Sequence, residues 1–133
     1  MKIYNIKYLM IIFLAILTTS CFFSEANMTG RYVIKNHKET IDTLELFKGN
    51  KYKRKLYRKN KKKIYENTGI WKLESNSRIN FSQFLVDRDI VYSNNHKVNE
   101  EGLMFASFPI EGWFSKTKII VEDHKNFFYE KID

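Results

Sequence analysis

The sequence has little cysteine, proline, glycine or histidine: one, one, five and three residues respectively. A single thiol excludes an intrachain disulfide framework. So few prolines and glycines exclude collagen-like and proline-rich chains. His37, His96 and His124 are scattered, and none pairs with another ligand at metal-binding spacing. No nucleophile elbow, phosphate-binding loop or zinc-protease motif occurs. No segment carries a helical apolar stripe of about a dozen residues or more. Enzyme is therefore the least supported class; no catalytic residue is nominated, and no cofactor or metal is implied.

What is present is enough apolar material for one core. The chain has 133 residues, of which 44% are hydrophobic and 16% aromatic, and its formal net charge is +8. Length and composition together indicate one folded domain.

The first residues read as an address. Met1 to Lys7 carries Lys2 and Lys7 and no acid; Tyr8 to Leu17 is an apolar run; Thr18, Thr19 and Ser20 are small; Cys21 follows. This is the order of a secretory signal. The uncharged stretch from Tyr8 to Ser24 lies just short of the about 20 residues that span a bilayer as a helix. An uncleaved anchor therefore stays open beside a cleaved signal.

The run Leu17-Thr18-Thr19-Ser20-Cys21 resembles the lipobox of bacterial lipoproteins. It departs from the commonest pattern in having Thr18, with Leu17 one residue further back, where leucine is usual. The resemblance implies a lipid on the Cys21 thiol and cleavage just before it. The other reading of Cys21 is a small buried hydrophobe. Each buried methylene is worth about 0.8 kcal/mol, and one acyl chain alone holds weakly; lipoproteins carry two or three. Phe22, not an acid, follows the cysteine, which by the enteric-type sorting rule implies the outer membrane in a Gram-negative cell. The expected organisation is a signal over 1–20, lipidated cysteine and tether over 21–28, and a folded domain over 29–133.

Beyond the tether the periodicity is that of strands. Candidates are Gly30 to Lys35, Ile41 to Phe47, Lys51 to Arg58, Ile64 to Glu74, Arg78 to Phe84, Leu103 to Phe114 (broken by Pro109 and Gly112), Thr117 to Glu122 and Phe127 to Ile132. Lys48-Gly49-Asn50, Asn60-Lys61-Lys62, Ser75-Asn76-Ser77 and Asp123 to Asn126 read as turns. Gly69 is a candidate bulge or close backbone contact. Leu85 to Glu101 is weakly patterned, with Asn94-Asn95 turn-like. Eight short strands with short loops predict an all-β domain, an antiparallel up-and-down barrel, with a β-sandwich as the alternative.

Gly30-Arg31-Tyr32, Asp42 to Leu46, Lys51-Tyr52, Gly69-Ile70-Trp71 and Arg78 to Phe81 together resemble the small bacterial lipocalin-like lipoproteins. Their theme is a G-x-Y strand, a hairpin with a tyrosine-bearing strand, a G-x-W strand and an I-x-F strand. The resemblance covers about Thr29 to Phe84 and implies a calycin-type barrel, with binding of hydrophobic or amphiphilic ligands in some members. On that reading Tyr32, Leu44, Leu46, Tyr52, Trp71 and Phe81 would wall a cavity for a small amphiphile or lipid. Trp71 and Trp113 also read as simple core residues.

The strongest local feature is basic. Lys51, Lys53, Arg54, Lys55, Arg58, Lys59, Lys61, Lys62 and Lys63 make nine cations in thirteen residues, with no acid among them. Such a surface patch suits anionic lipid, an envelope polymer or an envelope protein; it also suits a merely solvated hairpin or a protected strand edge. Tyr52, Tyr57 and Tyr65 interleave with it, as strands prefer. Nucleic acid is not expected, because the signal removes the domain from the cytoplasm. Asp87, Asp89, Glu100 and Glu101 read as keeping a loop solvated. Two functions stay open: an envelope lipoprotein binding an amphiphile in its barrel, and a surface interaction module (adaptor, inhibitor or immunity-type protein) using the basic hairpin. Both are lipid-anchored to a membrane.

Overall fold

The computed structural model describes residues 23–34, 40–74, 77–86, 103–112, 116–122 and 127–133. Cys21 and the segment expected as a signal, the three histidines, Trp113, Asn94-Asn95 and Asp123 to Asn126 (both expected as turns) and the acids Asp87, Asp89, Glu100 and Glu101 lie outside these residues.

One short helix, α1 (Glu25–Met28), precedes eight strands: β1 (Gly30–Ile34), β2 (Thr40–Leu46), β3 (Lys51–Arg58), β4 (Lys63–Glu74), β5 (Arg78–Leu85), β6 (Leu103–Glu111), β7 (Lys118–Glu122) and β8 (Phe127–Lys131). Each strand pairs antiparallel with its sequence neighbours, and β8 closes on β1, giving the expected up-and-down barrel rather than a sandwich. Period-two alternation drives this: β2 buries Thr40, Asp42, Leu44 and Leu46, and β3 buries Tyr52, Arg54 and Leu56.

The barrel has two distinct ends. One holds α1, the β2–β3 turn at 47–50 and the chain's last residues. The other holds the β3–β4 hairpin tip at 59–62 and the start of β6. Ser24 caps α1 by accepting a hydrogen bond from the Asn27 amide at 3.2 Å. Met28 is fully buried in the main core, and the Tyr32 hydroxyl donates to its carbonyl at 2.7 Å. The stretch read as tether is thus partly folded, and it plugs its end of the barrel.

The main apolar cluster runs from Met28 at the α1 end to Ile34 and Phe127 toward the other, and includes Tyr32, Trp71, Phe81 and Ile119. At the hairpin end Leu56 and Leu85 form a small second cluster with Ile64, Tyr65 and Leu103. β6 runs continuously through Pro109, so the proline does not break the strand as expected. It ends a ladder instead. The Ile110 amide donates to Ser77 at 2.8 Å, toward β5. Alternate residues therefore face β7, and the rung after Glu111↔Lys118 falls on Pro109, which has no N–H to give. Only two β6–β7 pairs form among the described residues, Ile110↔Ile119 and Glu111↔Lys118.

Candidate functional site

Two places carry chemistry: a polar layer inside the barrel and a cationic wall outside it.

The inner layer is built on Arg54. Its position on β3 has inward parity, between Tyr52 and Leu56, and the residue is buried at 4% exposure. This corrects its assignment to the surface patch. The guanidinium enters because Asp42, at 0% exposure on β2, meets it there. Nη2 lies 2.7 Å from Asp42 Oδ2, and Nε lies 3.2 Å from each carboxylate oxygen. Nη1 donates to the Leu85 carbonyl at 2.6 Å, and the Tyr129 hydroxyl donates to Asp42 Oδ2 at 2.9 Å. The Phe84 ring sits 4.5 Å from the guanidinium carbon. A buried charge on either partner alone would cost several kcal/mol, roughly, so the pair exists only as a unit.

The six residues proposed as cavity walls all join the main cluster. Phe81 packs on Tyr52, Phe84 and Phe108 at ring separations of 5.2, 4.9 and 6.0 Å. Trp71 is pinned: its Nε1 donates to the Phe47 carbonyl at 3.2 Å, and its amide donates to Asn50 at 2.8 Å. Tyr52 donates its hydroxyl to the carbonyls of Ser82 and Gln83, both at 2.9 Å. Burial holds the Tyr32 and Tyr52 phenols well above the usual tyrosine range.

The outer wall is built by parity. Lys51, Lys53 and Lys55 alternate with the buried residues of β3 and face outward, followed by Tyr57. Lys59, Lys61 and Lys62 are exposed on the hairpin tip. The nine cations therefore do not gather around one turn. Lys51 stands at the α1 end, Arg54 is inside, and Lys53 and Lys55 climb the outer face of β3. Arg58 ends that strand at inward parity opposite buried Thr40, Lys59, Lys61 and Lys62 sit on the tip, and Lys63 opens β4. One acid intervenes: Glu66 on β4 bridges Lys53 and Lys63, each at 2.9 Å. Hydrogen bonds from Lys63 and then Lys53 hold its carboxyl down to about 2. Lys51, Lys55, Lys59, Lys61 and Lys62 have no ion pair among the described residues.

A cleft of about 390 Å³ lies along this wall, lined by Arg31, Thr43, Glu45, Lys53, Lys55, Tyr57 and Ile132 among others. Arg31 is occupied by Asp133 at 2.6 Å. The three interleaved tyrosines part company: Tyr52 joins the core, Tyr57 the cleft, and Tyr65 packs on the Leu56–Leu85 cluster.

The internal ion pair was not anticipated from the sequence. Its trace was the inward parity of Asp42 and Arg54 on neighbouring strands. No family model, curated protein or solved structure matches this chain.

Proposed function

We propose that this chain is a membrane-anchored envelope protein without a catalytic role, which presents its basic end to an anionic partner. In this reading Cys21 carries the lipid and the barrel is an interaction module. The supporting observation is the barrel's polarity: the chain enters at α1, and the cationic tip stands at the opposite end.

Magnitudes decide where the partner lies. From Cys21 to Ser24 the chain reaches at most about 11 Å, so the α1 end stays close to its membrane. The eight residues of β3 span about 26 Å, or about 20 Å along the barrel axis once strand tilt is included. The Debye length in the cell is about 8 Å. The tip therefore lies more than two screening lengths from the anchoring bilayer, and its lysines act on something else. The amphiphile-carrier reading has less support, because its six wall residues pack into the core cluster.

The test is orientation. Lys48→Cys and Lys61→Cys variants of the full, lipidated chain each carry one reactive thiol, since the lipid blocks Cys21. With a fluorophore on that thiol, a bilayer-embedded quencher should dim the Lys48 label and spare the Lys61 label. Equal quenching of both would overturn the reading. A stoichiometric amphiphile in native mass spectra of the gently purified chain would replace it with the carrier function.

A further inference from the structure

We infer that the outer face of β3 is a track for a linear phosphodiester polymer, lying along the barrel wall from Lys51 to the hairpin tip. This rests on the surface-module reading and names its partner class.

The track is regular because the strand makes it so. Outward residues recur every second position, so Lys51, Lys53 and Lys55 stand about 6.7 Å apart in a row. Tyr57 takes the next outward place, and Lys59, Lys61 and Lys62 extend the row onto the tip. Across β2, the outward neighbours are Glu45 opposite Lys53 and Thr43 opposite Lys55. Across β4, Glu66 stands opposite Lys55 and engages Lys53 and Lys63. The remaining cations of the row have no ion pair among the described residues.

The shape of the row selects the partner. In the upright orientation proposed above, a facing bilayer meets the tip alone, whereas these cations run up the side of the cylinder. A single extended polymer with anions at regular intervals can follow them. The 390 Å³ cleft beside Lys53 and Lys55 gives its uncharged repeat units a place to lie, against Tyr57 and Ile132. Glu45 and Glu66 keep the wall from being uniformly basic and confine the polymer to the row.

Binding of the full-length chain to synthetic poly(glycerol phosphate) tests this, with phosphatidylglycerol vesicles presenting the same headgroup chemistry as a surface. Two variants are compared: Lys51→Glu with Lys55→Glu on the wall, and Lys59→Glu, Lys61→Glu and Lys62→Glu on the tip. All five positions are outward-facing, and circular dichroism checks the fold. The wall variant should lose at least about tenfold in affinity. Its slope of log affinity against log salt should flatten by about 1.4, two contacts at about 0.7 each. If the tip variant abolishes binding while the wall variant binds with unchanged affinity and slope, the track is wrong and the surface-module reading survives. If vesicles bind and the polymer does not, the partner is a lipid surface and the track is overturned. If nothing binds, the track falls and the orientation test decides the basic-end reading; if neither variant alters binding, the track and the basic-end reading both fall.

Discussion

The ring of Tyr52 lies across Gly69, its cross-strand partner, and the space a Cβ would need at Gly69 is already filled. A Cβ there would stand 2.5 Å from Tyr52 Cε1 and 2.5 Å from the Ser82 carbonyl oxygen. The close approach lets the Tyr52 hydroxyl reach Ser82 and Gln83, where β5 bulges and Gln83 takes a φ of 56°. Ser82 in turn bridges to Ile70 through its hydroxyl, accepting from the amide at 3.0 Å. The aromatic side chain covers the glycine, and the glycine lets the barrel turn its corner.

Gly69→Ala should therefore destabilise the fold by about 1–3 kcal/mol, the usual cost of overpacking. Urea unfolding measures it. An unchanged midpoint would show that both the Tyr52 ring and the Ser82 carbonyl give way freely.

The Asp42–Arg54 pair should behave as a unit. Asp42→Ala alone leaves a buried guanidinium and should cost about 3–5 kcal/mol. Asp42→Leu together with Arg54→Met should cost less than either single change. A double variant as unstable as the sum of the singles would refute the coupling.

Lys61 adopts a left-handed φ of 65° in the hairpin, where its amide donates to Arg58 at 2.8 Å. A side chain in that region costs about 1–2 kcal/mol, which glycine avoids at some loss of its own backbone entropy. Lys61→Gly should raise stability by about 1 kcal/mol or less, read as an increase in melting temperature. A decrease would mean the lysine side chain contributes to the turn.

Alkali should unfold the barrel. The unfolded chain ionises its tyrosines near the ordinary value of 10.0, while burial holds the folded Tyr32 and Tyr52 above it. Their contribution is complete below pH 10 and is lost as the pH rises past it. Phenolate absorbance should show these two tyrosines titrating only with unfolding. Glu66 works in the other direction. Its folded value of about 2 lies below the ordinary 4.5, so its stabilising contribution holds above pH 4.5 and is lost as the pH falls toward 2. Glu66→Gln should remove that part of the acid dependence, and an unaltered acid profile would refute it.

The barrel was legible because alternation was clean where it mattered. Leu44 and Leu46 face inward, with Thr43 and Glu45 on the opposite face, as the pattern predicts. A glycine inside a strand pattern signals a bulge or a close contact, and at Gly69 the contact with Tyr52 and Ser82 is the one found. Arg54 was misplaced because a cation reads as outward unless its carboxylate partner is known to face it, and Asp42 lies twelve residues away on another strand. α1 was missed because a single turn is too short for periodicity; only Ser24 before Glu25 hinted at a cap. Pro109 reads as a break from the sequence, but a proline facing a thin joint removes one donor and leaves the extended backbone of β6 intact.

That missing donor sets where the barrel breathes. The β1–β8 joint also has two ladder pairs, but Ile132 donating to Arg31 and the Arg31–Asp133 ion pair rivet it. No such rivets support β6–β7 among the described residues. Below Pro109 the free margin of β6 carries Met104 and Phe105, exposed at 54% and 68%. A cylinder loosens first at the joint with the fewest rungs, so deuterium should enter along β6 and β7 before the other strands. The weakest seam of the wall thus runs along its side, and an imino acid sets where it begins.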